Sequence, residues 1–247
     1  TGECATLSDR EWSRVVSLAV ERAAGRVPVI AGTGRNDTIH ALRLGQEAKA
    51  LGADAVLTVT PYYNKTTQQG LLRHYLFLAE GVELPMLLYN VPSRTGMSFR
   101  AETYAALAEH PNIYGVKEAS GDFGLILRTR ALCPEDFALY SGNDDQIVPI
   151  LALGGLGVIS TAANVVPAEL HALCDSFFRG DLPEARAIQL RLQPLIQALF
   201  LEVNPIPVKA ALAAMGRMEE TVRMPLTTLG PAARRALEQA MDELSLR

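Results

Sequence analysis

The sequence predicts an α/β protein whose parallel strands belong to a (β/α)8 TIM barrel, followed by a helical extension at the carboxyl end. Three observations lead there. Short apolar segments without alternation recur between helical ones, the pattern of strands buried on both faces of a parallel sheet. Each such segment ends on a polar or reactive side chain, and beyond about Val166 the strands stop while helices continue.

The elements follow in order. "SDREWSRVVSLAVERAAG" begins with Ser8 and carries Glu11 three places on, a capping box, then runs at helical period to a stop at Gly25. "VPVIAGTG" is a short β-branched strand, after which Asn36 or Asp37 caps the helix "TIHALRLGQEAKALG" ending at Gly52. The later strands are "AVLTVTPYY", "MLLYNVP", "IYGVKEA", "FALYSGN" and "LGVIST". Between them lie "QGLLRHYLFLAEG", "AETYAALAEH", "LILRTRALC" and "DQIVPILALGG", all helical in period. "PAELHALCDSFFRG", "LPEARAIQLRLQPLIQALFLE", "NPIPVKAALAAMG" and "GPAARRALEQAMDELSLR" are the closing helices, punctuated by Gly and Pro.

The strand ends choose between a barrel and an open doubly wound sheet. Thr33, Tyr62 and Tyr63, Tyr89 and Arg94, Lys117, Asn143 and Thr161 all fall at or just after the carboxyl ends of strands. A barrel gathers such ends into one mouth, whereas an open sheet brings them together only near a switch point. "GTGRND" lacks the third glycine of the dinucleotide-binding fingerprint and an acidic partner after the next strand. A closed barrel needs eight strands and six are visible, while "TGECATLS" reads as the end of an absent strand, so the first two strands are expected to be missing from this chain. The incomplete barrel is expected over residues 1–180 and the helical extension over 181–247.

Composition removes several function classes. The 247 residues are 49% hydrophobic and 20% charged with a net charge of −4, enough for a large core and offering no basic stripe for nucleic acid. No apolar run reaches the length of a membrane span and no signal peptide leads the chain, so the expected compartment is the cytoplasm. Cys4, Cys133 and Cys174 have no metal-binding spacing, nor do His40, His74, His110 and His171, which points to reduced thiols and no metal site.

Lys117 is the outlier among four lysines, because Lys49, Lys65 and Lys209 lie in helical or loop contexts while Lys117 closes an apolar strand. One reading pairs it with Glu118 or Asp122 at the barrel rim. The other is chemical: burial disfavours the ammonium form, and a neutral amine attacks ketones to give a Schiff base, from which the adjacent carbon loses a proton to become an enamine nucleophile. Tyr89 ends the preceding strand and could shuttle protons if a hydroxyl such as that of Thr1 connected it onward. Arg94, five residues after Tyr89, offers a planar fork to a carboxylate.

"TGE", "TPYYNK", "YNVPSRTG", "GVKEASGD", "SGNDD", "GVIST" and "NPIPVK", in this order from Thr1 to the carboxyl-terminal helices, resemble the motifs of the dihydrodipicolinate synthase family. The resemblance implies a (β/α)8 barrel with a helical extension, assembled as a homotetramer of tight dimers, and a lyase condensing pyruvate with aspartate semialdehyde to 4-hydroxy-tetrahydrodipicolinate for lysine and diaminopimelate. It implies that Lys117 forms the Schiff base, that Tyr89 relays protons with Thr1 and Tyr63, and that Tyr63 reaches the neighbouring subunit's site. Arg94 would hold the semialdehyde carboxylate, Gly142 and Ile159 would shape the pyruvate pocket, and no metal or organic cofactor would be needed. Two departures stand out. The family places another threonine before the one matched by Thr1. In members inhibited by lysine, an acidic residue stands where His40 does, and histidines often stand where Asp9 and Trp12 do, so weak or absent lysine inhibition is expected. The alternatives are a sister aldolase, such as N-acetylneuraminate lyase or a 2-keto-3-deoxy-sugar aldolase, or a non-catalytic paralogue. Arg94 within "PSRTG" argues against the sister aldolases.

Overall fold

Ser8 accepts from the backbone N–H of Glu11 while the Glu11 carboxylate takes the Ser8 N–H, so the predicted capping box opens the first helix, α1 (Asp9–Ala23). A computed structural model describes all 247 residues. The chain divides into two compact units, one made of residues 7–142 and 153–156, the other of residues 1–6, 143–152 and 157–247.

The first unit repeats strand and helix: α1, β1 (Ile30–Gly32), α2 (Thr38–Ala50), β2 (Ala55–Val59), α3 (Gln68–Val82), β3 (Met86–Asn90), α4 (Pro92–Thr95), α5 (Ala101–Ala108), β4 (Ile113–Glu118), α6 (Phe123–Leu132) and β5 (Ala138–Ser141). Asp37, Thr67 and Asp122 cap α2, α3 and α6 with their side chains, each contributing about 1 kcal/mol. Every strand from β1 to β4 pairs parallel with the next. The ladder continues past the strand ends, where Thr33 N donates to Leu57 O, Thr60 N to Tyr89 O, Ala119 N to Asn90 O and Gly142 N to Glu118 O. Those bonds fix the first residue of each loop at the carboxyl ends of the strands.

Helices cover the sheet with apolar faces. Leu71, Tyr75, Leu78 and Val82 of α3 are fully buried, each such side chain contributing about 1.5–3 kcal/mol. An aromatic chain links Tyr75 to Phe99, Tyr104 and Phe137 with centroids 5.3, 4.6 and 6.3 Å apart. The short helix α4 is absent from the sequence reading, which leaves "PSRT" as a turn. Pro92 at its first position and Gly96 at φ +67° just past it confine it to four residues.

The second unit holds α7 (Ile147–Ala152), β6 (Gly157–Val158), α8 (Pro167–Phe178), α9 (Leu182–Ala198), α10 (Ile206–Ala214) and α11 (Pro231–Glu243). Its core joins Leu170 and Leu173 of α8, Ile188, Leu192 and Leu195 of α9, and Leu237 and Met241 of α11. The segment "DQIVPILALGG" is less regular than predicted, since a 3-10 turn (Asp144–Gln146) precedes α7. Pro194, in contrast, does not break α9. No helix is long and apolar enough to cross a membrane.

Candidate active site

Parallel register brings the two key strand-end residues together. Tyr89 of β3 and Lys117 of β4 are direct partners, and the lysine Nζ lies 4.4 Å from the centroid of the tyrosine ring. Neighbouring strands run about 4.8 Å apart, so side chains in register on one face must touch. On the other flank Tyr140 of β5 is Lys117's partner. Its hydroxyl sits 3.0 Å from that of Tyr114, and burial, then Tyr114, push its phenol up to about 12. Tyr140 escaped the sequence reading although "FALYSGN" carries the same signal, a polar ring closing an apolar strand.

Gly142 makes room for the lysine. A Cβ there would meet Ala119 Cβ at 2.6 Å, Glu118 O at 3.1 Å and Lys117 Cε at 3.2 Å. The position therefore tolerates only glycine while the lysine stem keeps its path.

The carboxylates offered as ion-pair partners for Lys117 are engaged by other donors. Asp122 Oδ1 accepts from Leu125 N as the cap of α6. Glu118 follows Lys117 on the strand and therefore faces the opposite side of the sheet. There its oxygens accept from Asn90 Nδ2 at 3.1 Å, from Tyr104 OH at 2.9 Å and from Ser120 N at 2.7 Å.

Two further candidates stand in the segments that follow β2 and β3 in the same unit. Arg94 is exposed on α4, and the following Thr95 anchors that turn by accepting from Thr60 Oγ1 at 3.0 Å and bonding to the carbonyls of Val91 and Met97. Tyr63 is 93% exposed and held at φ +69°, a left-handed conformation that a bulky residue adopts only under constraint. Its loop is tethered by Asn64 Nδ2, which donates to Asn36 O at 2.8 Å.

Thr1 and Ile159 belong to the second unit. Asn204 Nδ2 donates to Thr1 Oγ1 at 2.8 Å and to Thr161 Oγ1 at 3.3 Å, so one amide spans the start of the chain and the loop after β6. The half-buried Ile159 opens that loop, which Asp144 Oδ2 braces by accepting from Thr161 N and Ala162 N at 3.1 and 2.9 Å. Lys209 and the backbone of Arg223 both bind the Glu3 carboxylate, pinning the segment that carries Thr1.

A profile of the Dihydrodipicolinate synthetase family matches residues 1–244. The 4-hydroxy-tetrahydrodipicolinate synthase of Methylococcus capsulatus is 53% identical over 243 residues, covering 98% of this chain and 84% of that protein. Among solved structures, a monomeric dihydrodipicolinate synthase variant superposes with a TM-score of 0.98 at 42% identity, covering 100% of this chain and 83% of the other. A chloride-inhibited dihydrodipicolinate synthase from Acinetobacter baumannii, complexed with pyruvate, gives a TM-score of 0.97 at 42% identity with 100% and 84% coverage. With its parallel β/α order, its lysine and tyrosine side by side at the strand ends and this likeness over nearly all of its length, the chain belongs to the dihydrodipicolinate synthetase family.

Proposed function

We propose that this chain is a lyase condensing pyruvate with L-aspartate 4-semialdehyde to give 4-hydroxy-tetrahydrodipicolinate, at the entry to lysine and diaminopimelate biosynthesis. The observation that carries the reading is the Lys117 amine lying against the Tyr89 ring at the end of an apolar strand. The names of its relatives favour this reaction over a sugar-acid aldolase or an inactive paralogue.

Lys117 Nζ attacks the keto carbon of pyruvate, water leaves, and the cationic imine draws electrons from the methyl carbon as that carbon gives up a proton. The resulting enamine adds to the aldehyde of the semialdehyde, whose oxygen takes a proton. The amino group of the second substrate then displaces Lys117 and closes the ring. Tyr89 moves the protons with Thr1 and Tyr63, Arg94 holds the semialdehyde carboxylate, and Gly142 and Ile159 shape the pyruvate pocket. Metal and organic cofactors have no step in this sequence.

Several finer assignments belong to the same proposal. The strands are those of a (β/α)8 barrel whose first two strands are absent from this chain, with residues 1–180 as barrel and 181–247 as helical extension. The protein works as a dimer of tight dimers in which Tyr63 enters the partner's site, a reading supported by that ring's 93% exposure on a constrained backbone. The free cysteines Cys4, Cys133 and Cys174 suit a cytoplasmic protein.

Treatment with pyruvate and borohydride tests the core of the proposal. A reduced pyruvyl adduct on the peptide containing Lys117 is expected, and an unlabelled Lys117 would overturn it. Assaying aldehyde acceptors separates the semialdehyde from sugar aldehydes.

A further inference from the structure

Behind Lys117, on the opposite face of the same strand, lies a buried carboxyl group that the reaction above does not use. Glu118 is only 3% exposed, and its bonded partners Asn90, Tyr104 and Ser120 are all neutral donors. Burying a carboxylate without a cation is costly unless donors surround it, and here they converge from three elements. Burial raises its pKa above the ordinary carboxylate range, and the Ser120, Asn90 and Tyr104 hydrogen bonds reduce that rise without reversing it. The case for a charged carboxylate is geometric, since every bonded partner donates to it.

The placement is matched residue for residue. Tyr89 pairs with Lys117 across β3 and β4, and one step on Asn90 pairs with Glu118. Asn90 is fully buried, and its Nδ2 reaches both carboxylate oxygens at 3.1 Å as well as Ser98 Oγ at 3.1 Å. The outer pair thus clasps the two strands at the level of the inner pair, and Tyr104 secures the clasp from α5, its ring stacked on Phe99.

We propose that Glu118 is a positioning residue for Lys117: through Asn90 it holds the strand ends so that the Tyr89 ring stays against the amine, and its negative charge favours the cationic imine over the neutral amine. The inference rests on the Schiff-base reading. In that step a neutral amine, a ketone and a proton become an iminium ion and water, so positive charge appears at Nζ during the reaction. A fixed anion in a low-dielectric interior favours the charged product and needs no reorganisation.

The experiment measures the rate of borohydride-trapped adduct formation at saturating pyruvate, with kcat, KM and the unfolding midpoint alongside. In Glu118→Gln the side-chain amide keeps the shape but loses the charge and turns an NH2 toward that of Asn90. Trapping and kcat are expected to fall at least about tenfold per folded molecule, with KM for pyruvate changed far less. The double variant Asn90→Asp with Glu118→Gln returns a carboxylate to the clasp from the other strand and is expected to recover most of the loss. Parental rates in Glu118→Gln, or no recovery in the double variant, would overturn the proposal. A role in packing alone would lower the midpoint and leave the rate intact. Should Glu118→Gln fail to fold, Tyr104→Phe removes one donor while keeping the ring: a several-fold fall in trapping is expected, and an unchanged rate overturns the idea. A parent protein that traps no pyruvate on Lys117 sinks the Schiff-base reading together with this one, whereas a labelled parent and an equally fast Gln variant sink this one alone.

Discussion

Lys117 and Tyr89 are partners in the β3–β4 register, and the amine sits 4.4 Å from the centre of the phenol ring. The contact follows from chain geometry, because parallel strands with matched registers place side chains of one face side by side. Removing only the hydroxyl tests whether the ring does more than pack. Tyr89→Phe keeps the ring against Nζ and is expected to lower kcat by about 10²–10⁴-fold, the range of a lost general acid or base, while pyruvate still forms an adduct on Lys117. Steady-state rates together with borohydride trapping check both halves.

Gly142 is constrained by its surroundings. Any side chain there must enter space held by Ala119 Cβ, 2.6 Å from the position a Cβ would take, and press on the lysine stem at 3.2 Å. Gly142→Ala is expected to cost about 1–3 kcal/mol of stability through overcrowding. It should also slow adduct formation, since Lys117 is the neighbour with freedom to move. Urea unfolding and the trapping rate measure the two effects separately.

How far these features were legible in the sequence depends on the range of the interaction that fixes them. Ser8 and Asp37 were readable as caps because a cap is a local bond of two or three residues' span. Lys117 stood out because a charge closing an apolar run is improbable without a purpose. The role of Glu118 was not readable: its partners Asn90 and Tyr104 lie 28 and 14 residues away, and only the register decides that it faces them. The adjacent polar pairs at 89–90 and 117–118 were the available signal, since period-2 alternation must send one member of each to the covered face. The strand expected in "LGVIST" shrank to Gly157–Val158, as the backbone of Thr161 and Ala162 binds the Asp144 carboxylate.

His74 gives the protein an acid weakness that involves none of the candidate catalytic residues. It is 6% exposed, its Nδ1 lies 2.9 Å from Thr38 Oγ1, its Nε2 has no hydrogen-bond partner, and burial depresses its pKa from 6.5 to about 4. With the folded value below the unfolded one, the unfolded chain binds the proton more readily. Stability is therefore whole above pH 6.5 and declines as pH falls from 6.5 toward 4, by up to about 3 kcal/mol in all. Urea midpoints measured across that window should slope upward with pH, and His74→Gln should flatten the slope. An unchanged slope in the variant would remove His74 as its source.

The response to lysine is expected to depend on Trp12. Its ring is 4% exposed and its indole N–H donates to Gly32 O at 3.0 Å, so neither the ring face nor the donor is open to a ligand. Beside it on α1, Asp9 is tied to His40 Nε2 of α2 at 2.9 Å, which engages a carboxylate that an incoming ammonium group would seek. Opening this corner for an amino acid would mean breaking that contact and withdrawing a buried indole from its carbonyl, a loss that the new ligand contacts would have to exceed. Millimolar lysine is accordingly expected to leave turnover nearly unchanged, and Trp12→His with His40→Glu is expected to introduce inhibition. Initial rates with and without lysine, measured on both proteins at fixed substrate, decide the matter: strong inhibition of the parent would show that this corner rearranges at little cost.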